Sequence, residues 1–236
     1  MDGVRILNIS KWIKRKWLLI VAGVVLLSCL MQIIHSPYIQ HVIVMVLMYI
    51  ILAVSYRFLT LSGQWTFAHF AMMGMSAFVT AFLSTKMGYP VWLSWPLGIL
   101  AAVATGAIMG LICGRTRFVY FFFATWAYAY VIEQAWKRLD MPFGGIHGLK
   151  SIPPIAPMIR TEAQAYYLLL ILAVISLVVL YRLEKSRFGH ILTVIEDNEE
   201  LAKSIGIDAF KYRMVSLIIA SVFCGLCGGF YAHYAG

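Results

Sequence analysis

The chain has 236 residues, of which 62% are hydrophobic and only 12% charged, with a formal net charge of +9 at pH 7. Soluble domains are about 45–50% apolar and about 25% charged, so a soluble fold could not hide this much apolar surface from water. The positive balance does not require nucleic acid either, because the 19 Lys and Arg residues are dispersed along the chain rather than gathered in one patch.

Apolar residues come in runs of roughly 17–23, the length that crosses about 30 Å of hydrocarbon. Barrel strands would alternate apolar and polar over about ten residues, whereas these runs are apolar throughout. Seven helical spans are predicted: Trp17–Ile34, Tyr38–Tyr56, Phe67–Thr85, Val91–Cys113, Phe118–Trp136, Ala165–Tyr181 and Met214–Ala235. The fold class is therefore an all-α, polytopic transmembrane bundle, read as a single permease-type domain over residues 1–236. The first run follows basic residues as a secretory signal would, but its core is longer than the usual 7–15 residues. It reads as an uncleaved first helix.

Between the second and third spans lies LSGQWTFAHFAMMG, residues 61–74. Gly63, Gln64, Thr66 and His69 place polar or flexible positions at or within membrane depth, where unsatisfied groups are expensive. They either line a water-filled translocation path or bond to neighbouring helices as a cap with Gly63 as hinge. His69 has no second metal ligand at i+3 or i+4. Further along, Gly106 and Gly110 form GxxxG, as do Gly225 and Gly229, and such small residues let helix backbones approach. The fifth run, VYFFFATWAYAYVIEQAW, ends near Glu133, an intramembrane carboxylate expected about one turn from the outer boundary. It is a path candidate or an interfacial residue reaching water, and the surrounding Trp and Tyr can be an aromatic belt.

Residues 137–164 contain Pro142, Gly144, Gly145, Gly148, Pro153, Pro154 and Pro157, and read as an external loop. Residues 182–213 combine charge with helical spacing. Ile191, Leu192, Val194 and Ile195, then Leu201, Ala202 and Ile205, mark an amphipathic helix or two short ones beneath the membrane. With the N-terminus inside, Arg5, Lys11, Lys14, Arg15, Lys16, Arg57, Arg115, Arg117, Arg182, Lys185, Arg187, Lys203, Lys211 and Arg213 face the cytoplasm. Only Lys86, Lys137, Arg138, Lys150 and Arg160 face outward, and this asymmetry sets the orientation.

Catalysis has no support in the sequence: Walker A, GxSxG and zinc spacings are missing, and the histidines are scattered. Cys29, Cys113, Cys224 and Cys227 lie in or at the ends of apolar runs and imply no disulfide framework. The CxxC at 224–227 reads as small packing side chains.

Three segments carry a family resemblance. SRFGHILTVIEDNEELAKSIGIDAFKYRMVSLIIASVFCGLCGGFYAHYAG at 186–236 is similar to SRFGRALxAIRExExAAxxxGINxxxYKxxAFxxSAxxAGxAGxLYAHxxG. SGQWTFAHFAMMGMSAF at 62–78 resembles AGQxSLGHAAFFGIGAY, and FGGIHGLKSIP at 143–153 resembles TGGxxGLxxIP. These are patterns of the M-type permease subunits of bacterial ABC importers for branched-chain amino acids. The chain departs from them at Thr66-Phe67-Ala68, and at His190 and Thr193, where the family carries basic residues. The family pattern also continues past YAHYAG, so an end at Gly236 reads as a C-terminal truncation.

The resemblance implies an inner-membrane subunit importing branched-chain or other hydrophobic amino acids. It implies a homologous permease, cytoplasmic ATPase subunits carrying ATP–Mg, and an external substrate-binding protein as partners, within the lipid bilayer and without nucleic acid, metal or cofactor in this chain. Related permeases for urea, short amides or other small polar solutes are the nearest alternative. An ion-coupled secondary transporter is the alternative of another class, but it calls for ionisable residues near the bilayer centre, and the sequence has almost none. Within 200–206, ELAKSIG is similar to the ATPase-docking EAAxxxG segment: Glu200, Ala202 and Gly206 match and Leu201 replaces Ala. Glu196 and Glu199 complete the expected coupling set. A solvated loop-helix without a partner is the alternative.

Overall fold

The computed structural model describes residues 36–116, 118–138, 148–149, 152–154 and 162–235. These residues are arranged as a helical bundle: α1 (Pro37–Thr60), α2 (His69–Thr85), α3 (Val91–Cys113), α4 (Phe118–Arg138), α5 (Glu162–Glu184), α6 (Arg187–Asp197), α7 (Glu199–Ser204) and α8 (Ala209–Ala235). Among the described residues, four segments are long and apolar enough to cross a membrane: Tyr38–Thr60, Val91–Cys113, Ala163–Glu184 and Ala209–Ala235. The expected count of seven is thus supported for four. Helix α2 is apolar but has 17 residues, about 26 Å at 1.5 Å per residue. The Tyr, Trp and charged residues of α4 keep it below the apolarity of a span, and Trp17–Ile34 lies outside the described residues. So does most of the expected external loop.

Helix α8 is the hub, packing most extensively on α3 and α2, which also pack on each other; α1 pairs with α5 and joins the hub through α8. Small residues make the hub possible. A Cβ on Gly225 would stand 2.8 Å from the Cα of Ile99, and one on Gly228 would meet the Met73 carbonyl oxygen. On the facing helix, Gly106 sits against Ser221, and Gly110 against Met214 and Leu217. The two GxxxG motifs therefore lie offset along one antiparallel α3–α8 contact, Gly225 and Gly229 against Ile99 and Trp95 and Gly106 and Gly110 against Ser221 and Leu217, the close approach that small residues permit. Ser76 Oγ donates to the Gly225 carbonyl at 2.7 Å, which satisfies a hydroxyl where no water is at hand. Cys224 and Cys227 are buried free thiols within this packing.

Short connections sort the loops onto two ends. At one end Arg57 of α1 pairs with Glu184 of α5 at 2.8 Å, and Gly63 lies beside Glu196. This is the basic end. At the other, His41 and Tyr234 are in hydrogen-bond contact at 2.9 Å, and the Pro153 carbonyl lies 2.7 Å from His233 Nδ1.

Candidate functional site at the basic end of the bundle

Helices α6 and α7 resolve the amphipathic segment into two short pieces. Phe188 anchors α6 between Phe58 and Tyr212, with ring centroids at 6.3 and 5.6 Å. The break comes at Asn198, whose extended backbone starts α7 and whose side chain accepts from the Leu201 N–H at 3.0 Å, a standard N-cap. Helix α7 ends as the sequence demands. Gly206 has φ +84°; its N–H reaches the Lys203 carbonyl, and that of Ile207 reaches Ala202, both at 3.0 Å. This is a Schellman closure, in which glycine takes the left-handed position without a Cβ penalty. Ile207 supplies the accompanying apolar contact, packing on the small core of Ile195, Ala202 and Ala209.

The apolar stripe read from the sequence divides here. Ala202 is fully buried against its own chain, whereas Leu201 and Ile205, one turn apart, are 58% and 67% exposed. The close approach allowed by the small residue is intramolecular, and the two large apolar side chains are left facing outward. The acidic set divides as well. Glu200 is exposed, Glu196 lines Gly63, and Glu199 turns inward.

What Glu199 meets is Arg213, in the second turn of α8. Arg213 Nη1 donates to Glu199 Oε2 at 3.0 Å, and its Nε donates to the Ser62 carbonyl at 3.2 Å. Both side chains are nearly buried, 11% and 13% exposed, and Lys203 Nζ holds the other Glu199 oxygen at 2.7 Å. A buried ion pair adds little net stability, but leaving one partner alone is expensive, about 3–5 kcal/mol. One guanidinium thus ties three elements: α7, the start of α8 and the 61–68 connection. A cavity of about 520 Å³ lined by Arg115, Glu199, Lys203, Asp208 and Arg213 borders the tie.

The 61–68 connection itself lies at the basic end, between the end of α1 and the start of α2, rather than deep in a span. Gly63 has φ +73°, and its Cα faces Glu196, where a Cβ would stand 3.7 Å from that residue's Cγ. Ser62 and Gln64 are buried, with Ser62 Oγ donating to the Leu59 carbonyl at 2.8 Å. Thr66 Oγ1 accepts from the N–H of Ala68, the residue just before α2, at 3.0 Å. His69 is 5% exposed, its Nε2 lying 3.4 Å from Ser55 Oγ and its ring edge-on to Tyr56. Thr66 and His69 line a groove of about 440 Å³ between α1 and α2, with Tyr49, Leu52, Ala53 and Tyr56.

Glu133 lies near the C-terminal end of α4, just before Lys137 and Arg138 in its last turn. Phe122 packs on Phe67 and Trp136 on Phe78, with centroids at 4.8 and 5.0 Å, so α4 runs beside the first half of α2. Glu133 shares a groove with Phe70, Ala71 and Trp136. This second groove is on the other side of Phe67 and Phe70 from the Thr66–His69 groove. The Glu133 carboxylate is paired with Lys137 at 2.6 Å, half exposed.

With this arrangement in hand, the comparisons with known proteins are decisive at the level of family. The model of the branched-chain amino acid transport system permease component matches residues 38–236. The chain belongs to that family. The match begins well before Leu61, so it takes in α1, which the quoted motifs did not reach. The high-affinity branched-chain amino acid transport system permease protein LivM of Escherichia coli K12 is 22% identical, over 80% of this chain and 51% of that protein. Its counterpart in Salmonella typhimurium LT2 is 22% identical over 81% and 52%. The permease chain spans about half the length of these curated relatives. No solved structure matches it.

Arg213 is the residue of the permease that sequence reasoning missed, being counted only as one more inner cation. A signal was present. Arg213 sits inside an apolar helix with Ala209, Phe210, Ser216 and Leu217 at its helical neighbours, so no acidic residue on its own helix can pair with it. Its partner had to come from another element. Asp208, just before α8, has its carboxyl held below the ordinary carboxylate range, chiefly by the Lys211 backbone N–H, which donates at 3.2 Å.

Proposed function

We propose that this permease chain is the membrane subunit of an ATP-driven importer for branched-chain or other hydrophobic amino acids. It works in the bacterial inner membrane with its N-terminus and basic end toward the cytoplasm. Its partners are a homologous permease, ATPase subunits that carry ATP–Mg, and an external protein that delivers substrate.

The observation that carries this reading is α7. Leu201 and Ile205 are exposed on a six-residue helix at the basic end, and exposed large apolar groups on a water-facing helix mark a docking surface. The helix is capped at both ends and tied back through Glu199, so it can bear a load rather than fray. Ala202 and Gly206 shape it, while Glu196 and Glu200 flank the contact. For the path, the candidates are Thr66 and His69 in the α1–α2 groove, Gly63 and Gln64 just before them in the connection, and Glu133 in the groove across Phe67 and Phe70.

The test is uptake into vesicles containing the assembled transporter, driven by ATP or by an ion gradient alone, with the ligand of the co-purified binding protein identified. ATP-dependent uptake of an aliphatic amino acid is expected. Uptake driven by an ion gradient without ATP would overturn the proposal, and a binding protein loaded with urea or a short amide would move the substrate class. Orientation is read by thiol labelling. On a cysteine-free background, Met87→Cys in the α2–α3 turn should react from outside and Ile205→Cys from the cytoplasm; the reverse pattern would invert the topology.

A further inference from the structure

We propose that Arg213 is the positioning residue that transmits movement of the docking helix α7 to the 61–68 connection and so to α2. This rests on the docking role proposed above for α7. Three observations carry it. Arg213 is itself rooted in α8, the helix that packs most widely in the bundle, so its side chain swings from an anchored backbone. Its guanidinium holds Glu199 with one nitrogen and the Ser62 carbonyl with another. The planar fork of arginine allows two such directed bonds at once; a lysine ammonium on its flexible stem cannot match that geometry.

The contact is also built to shift. The 520 Å³ cavity at its side is lined by both Arg213 and Glu199, so the pair can move into that space without displacing packed side chains. The same cavity presents Arg115, Lys203 and Asp208, charged groups that can exchange partners with the pair. Beyond Arg213 the connection is stiff. Ser62 Oγ is 3.5 Å from Ser216 Oγ, one turn along α8, Gly63 lies beside Glu196 of α6, and Thr66 Oγ1 accepts from the N–H of Ala68, the residue just before α2. A displacement of α7 therefore reaches the start of α2 through Arg213 and Ser62, and His69 is the first residue to move.

The experiment compares the assembled transporter carrying Arg213→Lys with wild type, using assembly, basal ATP hydrolysis, and the hydrolysis stimulated by the loaded binding protein. Lysine keeps the charge toward Glu199 but gives up the second bond. The expected result is intact assembly and basal hydrolysis with the stimulated part reduced about five- to tenfold, within the usual range of coupling between sites. The ligand concentration for half-stimulation should stay unchanged. The double variant Arg213→Glu with Glu199→Arg should restore an ion pair and assembly yet remain poorly stimulated, since a carboxylate cannot donate to the Ser62 carbonyl. Wild-type stimulation in Arg213→Lys, or loss of assembly in that variant, would overturn the transmission role. A wild-type complex without ATPase subunits would instead remove the docking reading, and this inference with it.

Discussion

The α2–α3–α8 hub and the basic-end cap of α6, α7 and the 61–68 connection are held together by opposite means. In the hub, backbones touch because side chains are absent: Gly225 and Gly228 face Ile99 and Met73 with no room for a methyl. In the cap, side chains reach across gaps, and one arginine spans three elements. Lipid explains the difference. Within hydrocarbon there is no hydrophobic drive between helices, so close van der Waals contact must supply the cohesion. At the water boundary charges can be kept partly solvated, and directed bonds can hold short helices that have little area to bury.

The largest effect is expected where the two regions meet. Arg213→Met would remove the guanidinium from Glu199 and from the Ser62 carbonyl. A loss of about 3 kcal/mol or more is expected, seen as a lowered melting temperature of the purified permease in detergent. A variant melting like wild type would show that the cap does not depend on its ion pair.

Gly228→Ala probes the hub alone. The added methyl meets a backbone oxygen that cannot rotate away, so a destabilisation of about 1–3 kcal/mol is expected, as for overpacking. The same measurement decides it, and a neutral result would mean that α2 and α8 can slide apart freely.

Gly206→Val asks the converse question in the cap. Nothing lies within 4 Å of a Cβ there, so the whole penalty is the left-handed backbone, about 1–3 kcal/mol for a β-branched residue. That strain acts locally on α7. The hub should insert and melt nearly as wild type, while co-purification of ATPase subunits falls; full retention of both partners and stimulation would separate Gly206 from docking.

The smallest effect is one of pH. The Asp208 carboxyl is lowered by the Lys211 N–H, so its contribution to the start of α8 is fully present above the ordinary carboxylate pKa. It is lost as pH falls through that value to the lowered one. Asp208→Asn should therefore abolish part of the acid dependence of melting below about pH 4, and identical acid profiles would assign that dependence elsewhere.

Composition and run length alone determined the helical membrane class, because hydrocarbon admits few backbone solutions. The spacing of small residues determined that α3 and α8 each carry a face fit for close approach, and Gly206 announced a helix end that a left-handed turn satisfies. Only the tertiary structure decided that the two GxxxG motifs share one α3–α8 contact, offset along it so that each meets other residues of the opposite helix, since the sequence carries no record of which helix lies opposite. Likewise, Ala202 and Leu201 are adjacent in sequence but fall on different faces of α7, and the bundle selects which face is inside. Which groove Glu133 lines was likewise left to folding, because the offset of α4 against α2 is set by ring packing at Phe122 and Trp136, not by the length of its own apolar run. Arg213 could be known to need a partner, but Glu199 and Ser62 are 14 and 151 positions away, and only folding brings charges so distant in sequence to within 3.2 Å.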